Sequence, residues 1–244
     1  MPTSTMTPGS RIIVPLDFST LDELDRTMET IYEFVEIVKI GNEVMCALGA
    51  PQVMKHLLEK WPRANVFFDG KFKDITNTVA QTTKAAMQST NVSMINAYCD
   101  GSIKDLSAFV ENAPGIITLG VTLLTHISKE EAMQIYNRPY EEVIPLLAGR
   151  AVSAGCRGIV CSAADIALLS DEYQRRLVKV TPAIRPKWSA ANEQKRIVTP
   201  ADAIKAGADY LVIGRPITRP PDKVGTPAKA FELIVEEIAE ALAA

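Results

Sequence analysis

A single (β/α)8 barrel of the TIM type, in the α/β class, is the fold that this 244-residue sequence predicts. Eight short runs of apolar and β-branched residues recur along the chain, and helical patterns lie between them. Near-continuous apolar runs are typical of strands buried on both faces of a parallel sheet. An open doubly wound sheet is the alternative, but no Gly-x-Gly-x-x-Gly motif follows the first run.

The predicted strands are short, and polar residues follow most of them. They are residues 12–16, 35–38, 65–68, 92–95, 115–121, 158–161, 177–180 and 210–213. Because the active sites of such barrels lie where the strands end and the loops begin, the residues that follow each run are the first candidates for a functional site.

Helical patterns separate these strands, and several carry boundary signals. Thr20 is a candidate N-cap, Pro51 suits a first helical turn, and Gly155 and Gly207 suit the position after a helix end. The predicted helices are residues 21–32, 51–60, 78–88, 102–111, 140–153, 163–173, 200–206 and 228–241.

No linker-like stretch divides the chain, so residues 11–244 are predicted to form one catalytic barrel domain. Residues 1–10 are polar, rich in Ser, Thr and Pro, and lack the apolar core of a secretory signal; we expect a flexible lead-in and a cytoplasmic protein. The longest polar interval, residues 182–200, follows the seventh strand. Its position predicts a binding loop rather than a simple surface connection.

Composition argues against several classes of function. A formal net charge of -3 gives no basic footprint for nucleic acid, and no apolar run approaches the roughly 18 residues that span a membrane. Four scattered cysteines and two histidines make a metal site improbable. We therefore expect no metal, and interpret the cysteines as small buried apolar residues.

Acids and lysines concentrate after the first three strands. Asp69 and Lys71 are two residues apart, so their side chains would share one face of an extended strand. Lys39 lies on one face with residues 35 and 37, and Asp74 opens the next helical region, where acids favour the helix dipole. A single such residue is more often part of a surface ion pair. Four at adjacent strand ends predict a catalytic cluster.

The segment FDGKFKDITNT, residues 68–78, resembles the signature of the orotidine 5′-monophosphate decarboxylases, Asp-x-Lys-x-x-Asp-Ile-Pro-Asn-Thr. Thr76 stands where that family usually has proline, and Tyr98 stands where it typically has histidine. The resemblance extends in order over nearly the whole chain, through residues 16–17, 39–41, 122–125, 181–186, 194–196 and 213–217.

This resemblance implies removal of CO2 from C6 of orotidine 5′-monophosphate to give uridine 5′-monophosphate, with no metal or organic cofactor. Lys71 would be the general acid that protonates C6, and Asp69 would hold Lys71 near the departing carboxylate. Lys39 and Asp74 would complete an alternating network of charges that keeps both lysines protonated.

The substrate-binding residues that the resemblance implies surround the parts of a nucleotide. Asp17 would bind the ribose hydroxyls, and Thr125 would bind the edge of the pyrimidine. Gly214 and Arg215 follow the eighth strand, which is a common phosphate site in these barrels, and the Arg215 guanidinium matches phosphate geometry.

Two loops would complete the site. The loop after the seventh strand, with Pro182 and Gln194, would close over the phosphate. Asp74, Ile75 and Thr78 would reach the site of a second subunit, so the resemblance implies a homodimer with shared active sites.

Two other interpretations stay open. Metal-dependent relatives, such as 3-keto-gulonate-phosphate decarboxylases and hexulose-phosphate synthases, share Asp-x-Lys-x-x-Asp but have an acid on the second strand, where this chain has Lys39. A barrel that only binds a ligand is the other, and the presence of Lys39, Asp69, Lys71 and Asp74 together argues against it.

Overall fold

The structure is a computed structural model, and it describes residues 6–89, 91–189 and 198–243. Eight parallel strands close into a barrel in chain order, and β8 pairs with β1. The predicted (β/α)8 fold is therefore confirmed. The strands are β1 (Ile12–Pro15), β2 (Ile37–Gly41), β3 (Asn65–Phe72), β4 (Val92–Tyr98), β5 (Ile117–Val121), β6 (Gly158–Val160), β7 (Val178–Thr181) and β8 (Tyr210–Val212).

The helices form a layer around this barrel. They are α1 (Leu21–Ile31), α2 (Asn42–Leu48), α3 (Ala50–Lys60), α4 (Thr76–Ala86), α5 (Ile103–Glu111), α6 (Lys129–Tyr136), α7 (Tyr140–Ala154), α8 (Ala163–Ile166), α9 (Asp171–Arg176), α10 (Pro200–Lys205), α11 (Arg215–Thr218) and α12 (Pro227–Ala243). No helix in this part of the chain is long and apolar enough to cross a membrane.

Helix boundaries differ from the prediction mainly where capping residues act. Thr20 caps α1 as predicted, because its side chain accepts a hydrogen bond from the Glu23 backbone N–H. The single helix predicted over residues 163–173 is wrong. Ser170 accepts a bond from the Tyr173 N–H and starts a new helix, so α8 and α9 are separate. The helices α2, α6 and α11 were not predicted.

Two apolar layers build the core. Inside the barrel, Ile13, Ile37, Phe67, Met94, Leu119 and Val180 form one buried cluster. Neighbouring residues such as Ile12, Val14 and Val38 point outward and pack against the helices in a second cluster. This alternation follows from the two-residue period of a strand, and it means that residues two positions after the inner cluster lie at the carboxyl-terminal mouth.

The Asp25 carboxylate joins α1 to the end of α3. It accepts hydrogen bonds from His56 Nε2 (2.7 Å), Lys60 Nζ (2.7 Å) and Trp61 Nε1 (2.9 Å). Burial raises the pKa of Asp25, but the hydrogen bonds from Lys60, His56 and Trp61 outweigh it, so the pKa lies below its usual value. The ionised carboxylate therefore stabilises the packing of these two helices.

We expect Asp25→Asn to lower the free energy of unfolding by about 1–3 kcal/mol at neutral pH, since charged hydrogen bonds are lost. A lowered folded-state pKa gives stability above the unfolded pKa that disappears as pH falls through the folded value. Thermal unfolding of both proteins should therefore converge in acid. Glu29→Gln on the same helix is the control, because Glu29 lies 4.0 Å from Lys60 at an exposed position. Equal stability of the two variants at neutral pH would contradict this role.

Candidate active site

The charged residues predicted from the strand ends meet at the carboxyl-terminal mouth. Lys39 lies two residues after Ile37, and Asp69 lies two residues after Phe67, so both continue the inward face above the apolar cluster. The registers Pro15↔Lys39 and Gly41↔Asp69 place Lys39 and Asp69 at successive inward-facing positions of neighbouring strands.

Four side chains form a line of alternating charge. The Asp69 carboxylate contacts Lys71 Nζ through Oδ1 (2.8 Å) and Lys39 Nζ through Oδ2 (3.1 Å). Lys39 also contacts Asp17 Oδ1 at 3.1 Å. We call Asp17, Lys39, Asp69 and Lys71 the charged array. Within one chain Asp17 is the second acid of the array, and Asp74, which was predicted to reach the site of a second subunit, is not part of it.

Lys71 reaches Asp69 by a route that the sequence did not predict. Its backbone φ is 48°, which is a left-handed conformation rather than an extended one. Phe68 pairs with Ile95 and Phe72 pairs with Ala97, so residues 69–71 bulge opposite the single residue Asn96. A left-handed non-glycine residue costs about 1–3 kcal/mol, and such strain persists only where surrounding contacts hold it.

Asn96 is the site residue that the sequence analysis missed. Its side chain is fully buried, its Oδ1 accepts the Lys71 backbone N–H (2.8 Å), and its Nδ2 donates to Asp69 Oδ1 (2.6 Å). A signal was present: Asn96 follows Met94 by two residues, as Asp69 follows Phe67. The strand period could therefore have placed Asn96 beside Asp69.

A cavity of about 420 Å³ opens beside the array. Its wall includes members of the array and residues that were predicted to bind phosphate. Asp17 and Lys39 line one part, and Gly214 and Arg215 line another. Gly214 is needed there, because a Cβ atom would lie 2.9 Å from Pro15 Cγ. Arg185 and Arg219 also line the cavity. Three guanidinium groups thus stand in one cavity with Lys39, a combination suited to an anionic ligand.

The predicted intersubunit residues lie outside the charged array of this chain. Asp74 is exposed, and its carboxylate accepts the backbone N–H of Ile75 at 2.7 Å. The Ile75 side chain is 71% exposed, and Thr78 is half-buried in the first turns of α4. Within the described ranges no contact joins Asp74 to Lys71.

Three further predicted contacts have different outcomes. Thr125 is exposed in the loop after β5 and is not among the residues that line the cavity at Arg215. Pro182 is half-buried directly after β7, and its neighbours Ala183 and Ile184 line that cavity. Gln194 lies outside the described residues.

The two departures from the family signature have structural roles. Thr76 begins α4 and donates its hydroxyl proton to Asp105 Oδ1 (2.6 Å), which links α4 to α5. The Tyr98 ring faces Lys73, whose Nζ lies 5.8 Å from the ring centroid and 2.7 Å from Asp100. Burial, followed by Asp100 and Asp69, raises the pKa of the Tyr98 phenol. The side chain that supports Lys71 is Asn96 rather than Tyr98.

Cys99, Cys156 and Cys161 are buried, as predicted, whereas Cys46 is exposed. Burial raises the pKa of the Cys156 thiol to about 12 and that of Cys99 well above its usual value, so these thiols stay protonated and unreactive.

In the described part of the chain, no three His, Cys, Asp or Glu side chains are grouped so that they could hold a metal ion.

The sequence model of the family described as "Orotidine 5'-phosphate decarboxylase / HUMPS family" matches residues 10–230. The chain is 38% identical to an orotidine 5′-phosphate decarboxylase of Hahella chejuensis, over 96% of this chain and 99% of that protein. It is 39% identical to one from Pseudomonas paraeruginosa, over 94% and 97% of the two chains. A crystal structure of an orotidine 5′-phosphate decarboxylase from Lactobacillus acidophilus superimposes with a TM-score of 0.76 at 26% identity, covering 93% and 99%.

We expect Gly41→Ala to displace Lys39, because a Cβ atom at position 41 would lie 2.7 Å from Lys39 Nζ and 3.1 Å from Asp17 Oδ1. A crystal structure of the variant should show the Lys39–Asp69 separation beyond about 4 Å, the limit of a direct ion pair. Gly101→Ala is the control, because its nearest contact would be 3.6 Å. An unchanged Lys39 in Gly41→Ala would disprove this steric coupling.

Proposed function

The chain belongs to the orotidine 5′-phosphate decarboxylase / HUMPS family, and from this premise we propose that it converts orotidine 5′-monophosphate to uridine 5′-monophosphate and CO2. The family name also covers metal-dependent relatives, whereas the curated relatives described above are named orotidine 5′-phosphate decarboxylases. The reaction is a step of pyrimidine biosynthesis and is that of a carboxy-lyase.

The observation that carries this proposal is the position of the charged array beside a cationic cavity. Arg215, Arg185 and Arg219 supply donors for a phosphate, and Lys39 brings the array to the same cavity. A phosphorylated substrate bound there would present its opposite end to Asp69 and Lys71. Binding energy gained at the phosphate can then position a reacting carbon that the arginines do not touch.

The chemistry proposed for Lys71 is electrostatic stabilisation followed by proton transfer. When the C6–carboxylate bond breaks, its electron pair stays on C6, and CO2 leaves. The Lys71 ammonium is adjacent to this developing negative charge, donates a proton to C6 and is later reprotonated by solvent. The contacts with Asp69 hold both lysine side chains in a fixed orientation before the substrate arrives.

Asp69 is proposed to act on the substrate carboxylate as well. Two like charges about 4 Å apart repel by roughly 4 kcal/mol at an effective dielectric near 20. Departure of CO2 would remove the charge that Asp69 opposes, whereas the attraction between Lys71 and C6 would increase. The array therefore favours the transition state over the bound substrate.

The remaining roles follow the parts of the nucleotide. Asp17, at the edge of the cavity, would bind the ribose hydroxyls, and Arg215 with the backbone at Gly214 would bind the phosphate. Thr125, in the loop after β5, would bind the edge of the pyrimidine. Pro182 and Gln194 belong to the loop proposed to close over the phosphate, and Gln194 lies outside the described residues.

A homodimer with shared sites is part of the proposal. The exposed Ile75 side chain and the Asp74 carboxylate, which stands apart from the array of its own chain, support a contribution to a second subunit. Thr78 follows on the same segment.

A cytoplasmic location is also proposed, and the four free cysteines suit a reducing compartment.

Purified protein should decarboxylate orotidine 5′-monophosphate, followed by the fall in absorbance as uridine 5′-monophosphate forms. We expect Lys71→Ala to reduce kcat at least about 1,000-fold, because the general acid is lost. Binding of uridine 5′-monophosphate should weaken less than about tenfold, because the phosphate contacts remain. Lys104→Ala, an exposed lysine on α5, is the control and should keep full activity.

Three results would contradict this assignment. Retained turnover in Lys71→Ala would remove Lys71 from the chemistry. Tight nucleotide binding without turnover by the unmodified protein would favour the interpretation that the barrel only binds ligand. Activity that disappears with a chelator would favour a metal-dependent relative.

Mixing two inactive variants tests the shared sites. Lys71→Ala and Asp74→Ala each damage every site of their own homodimer, but a hybrid dimer has one site with both residues intact. After subunit exchange we expect about one quarter of the unmodified activity, because half of the dimers are hybrids with one working site. Mixtures that stay inactive, while co-purification of differently tagged subunits shows exchange, would place Asp74 in the site of its own chain.

A further inference from the structure

We propose that Asn96 is a positioning residue that sets the geometry of Asp69 and Lys71, and that its two hydrogen bonds are required for a normal kcat. The inference rests on the proposed decarboxylation, because its measured effect is on that reaction. It assigns a role to a residue at the end of β4, and the family signature at residues 68–78 does not cover this strand.

The first observation is the bulge at the end of β3. Between the pairs Phe68↔Ile95 and Phe72↔Ala97, three residues of β3 stand opposite one residue of β4. The extra residues give the Lys71 backbone its φ of 48°, and its N–H points to Asn96 Oδ1 at 2.8 Å rather than to a strand carbonyl. The Asn96 side chain therefore replaces a ladder hydrogen bond that the bulge removes.

The second observation is that the Asn96 side-chain amide also holds the Asp69 carboxylate. Asn96 Nδ2 donates to Asp69 Oδ1 at 2.6 Å, and this is the oxygen that also accepts Lys71 Nζ at 2.8 Å. The orientation of the amide follows from chemistry, because a backbone N–H can only donate and a carboxylate can only accept. One side chain thus holds the backbone of Lys71 and the carboxylate that receives its ammonium.

The third observation is burial. Asn96 is fully buried, and Asp69 is 7% exposed, so water cannot readily replace a lost hydrogen bond at this point. Loss of the amide would leave the Lys71 N–H without its acceptor and the left-handed backbone without its support. The expected consequence is a shift of Lys71 Nζ relative to the substrate, and a displacement of about 1 Å can cost on the order of 100-fold in rate.

Asn96 is expected to affect the chemical step rather than the binding of the nucleotide. The arginines proposed to bind the phosphate line the cavity, whereas Asn96 is not among the residues that line it. Loss of Asn96 should therefore lower kcat while the KM and the dissociation constant for uridine 5′-monophosphate change little. Loss of a residue that only supports the fold would not lower kcat while leaving the KM and the dissociation constant unchanged.

Two variants separate positioning from packing. Asn96→Leu keeps a similar volume without a donor or acceptor, and Asn96→Asp keeps the acceptor for the Lys71 N–H but places a charge against Asp69. We expect kcat to fall about 10- to 100-fold in each, with the KM within about threefold of the unmodified enzyme. The control is Thr118→Val, which removes a buried hydroxyl from β5 that accepts the Arg157 N–H, on the face of the strand opposite to the inward-facing Leu119.

Thermal unfolding and uridine 5′-monophosphate binding show that each variant is folded, so the kinetic loss is measured on an intact barrel. If kcat of Asn96→Leu stays within about threefold of the unmodified enzyme, or falls no more than in an equally destabilised Thr118→Val, the positioning role is overturned. If Asn96→Leu does not fold, the same criterion applies to Asn96→Asp. Absence of turnover by the unmodified enzyme would instead contradict the proposed function.

Discussion

The carboxylate of Asp69 lies between two ammonium groups, with Lys71 Nζ 2.8 Å from one oxygen and Lys39 Nζ 3.1 Å from the other. The carboxylate between the two lysines offsets the repulsion between their ammonium groups in a partly buried mouth. The rest of the site follows from this constraint. Asp17 supplies the next acid of the array, Gly41 leaves the space that Lys39 Nζ fills, and the β3 bulge turns Lys71 toward Asp69.

In the proposed function, different strands of the barrel supply the binding residues and the reacting residues. Gly214 and Arg215 follow β8 and line a cavity whose wall also includes Lys39, whereas Asp69 and Lys71 lie beyond Lys39 on β3. A ligand held by its phosphate can thus be directed to the array without any contact between the arginines and the reacting carbon. In the proposed reaction this arrangement would let remote binding energy serve the chemical step.

The sequence was sufficient for the fold and for three members of the array, Lys39, Asp69 and Lys71, because both depend on local patterns. Near-continuous apolar runs located all eight strands, and the two-residue period placed Lys39 on one face of its strand with residues 35 and 37. The ion pair between Asp17 and Lys39 was not predicted, because Asp17 was expected to bind the ribose. It did not predict the backbone conformation of Lys71. The assumption of an extended chain correctly placed Lys71 next to Asp69, but the backbone is left-handed there, because the bulge depends on the pairing of β3 with β4. The two-residue period also places Asn96 on the inward face, but its two hydrogen bonds could not be predicted from it, because the partners are 25 and 27 residues distant.

A crystal structure with bound uridine 5′-monophosphate tests the central claim most directly. The account predicts the phosphate against Arg215 and the backbone at Gly214, with C6 of the pyrimidine about 3–3.5 Å from Lys71 Nζ, the separation of reacting atoms in a near-attack geometry. The claim would be contradicted by a nucleotide whose phosphate lies at Arg215 while C6 points away from Lys71 and Asp69.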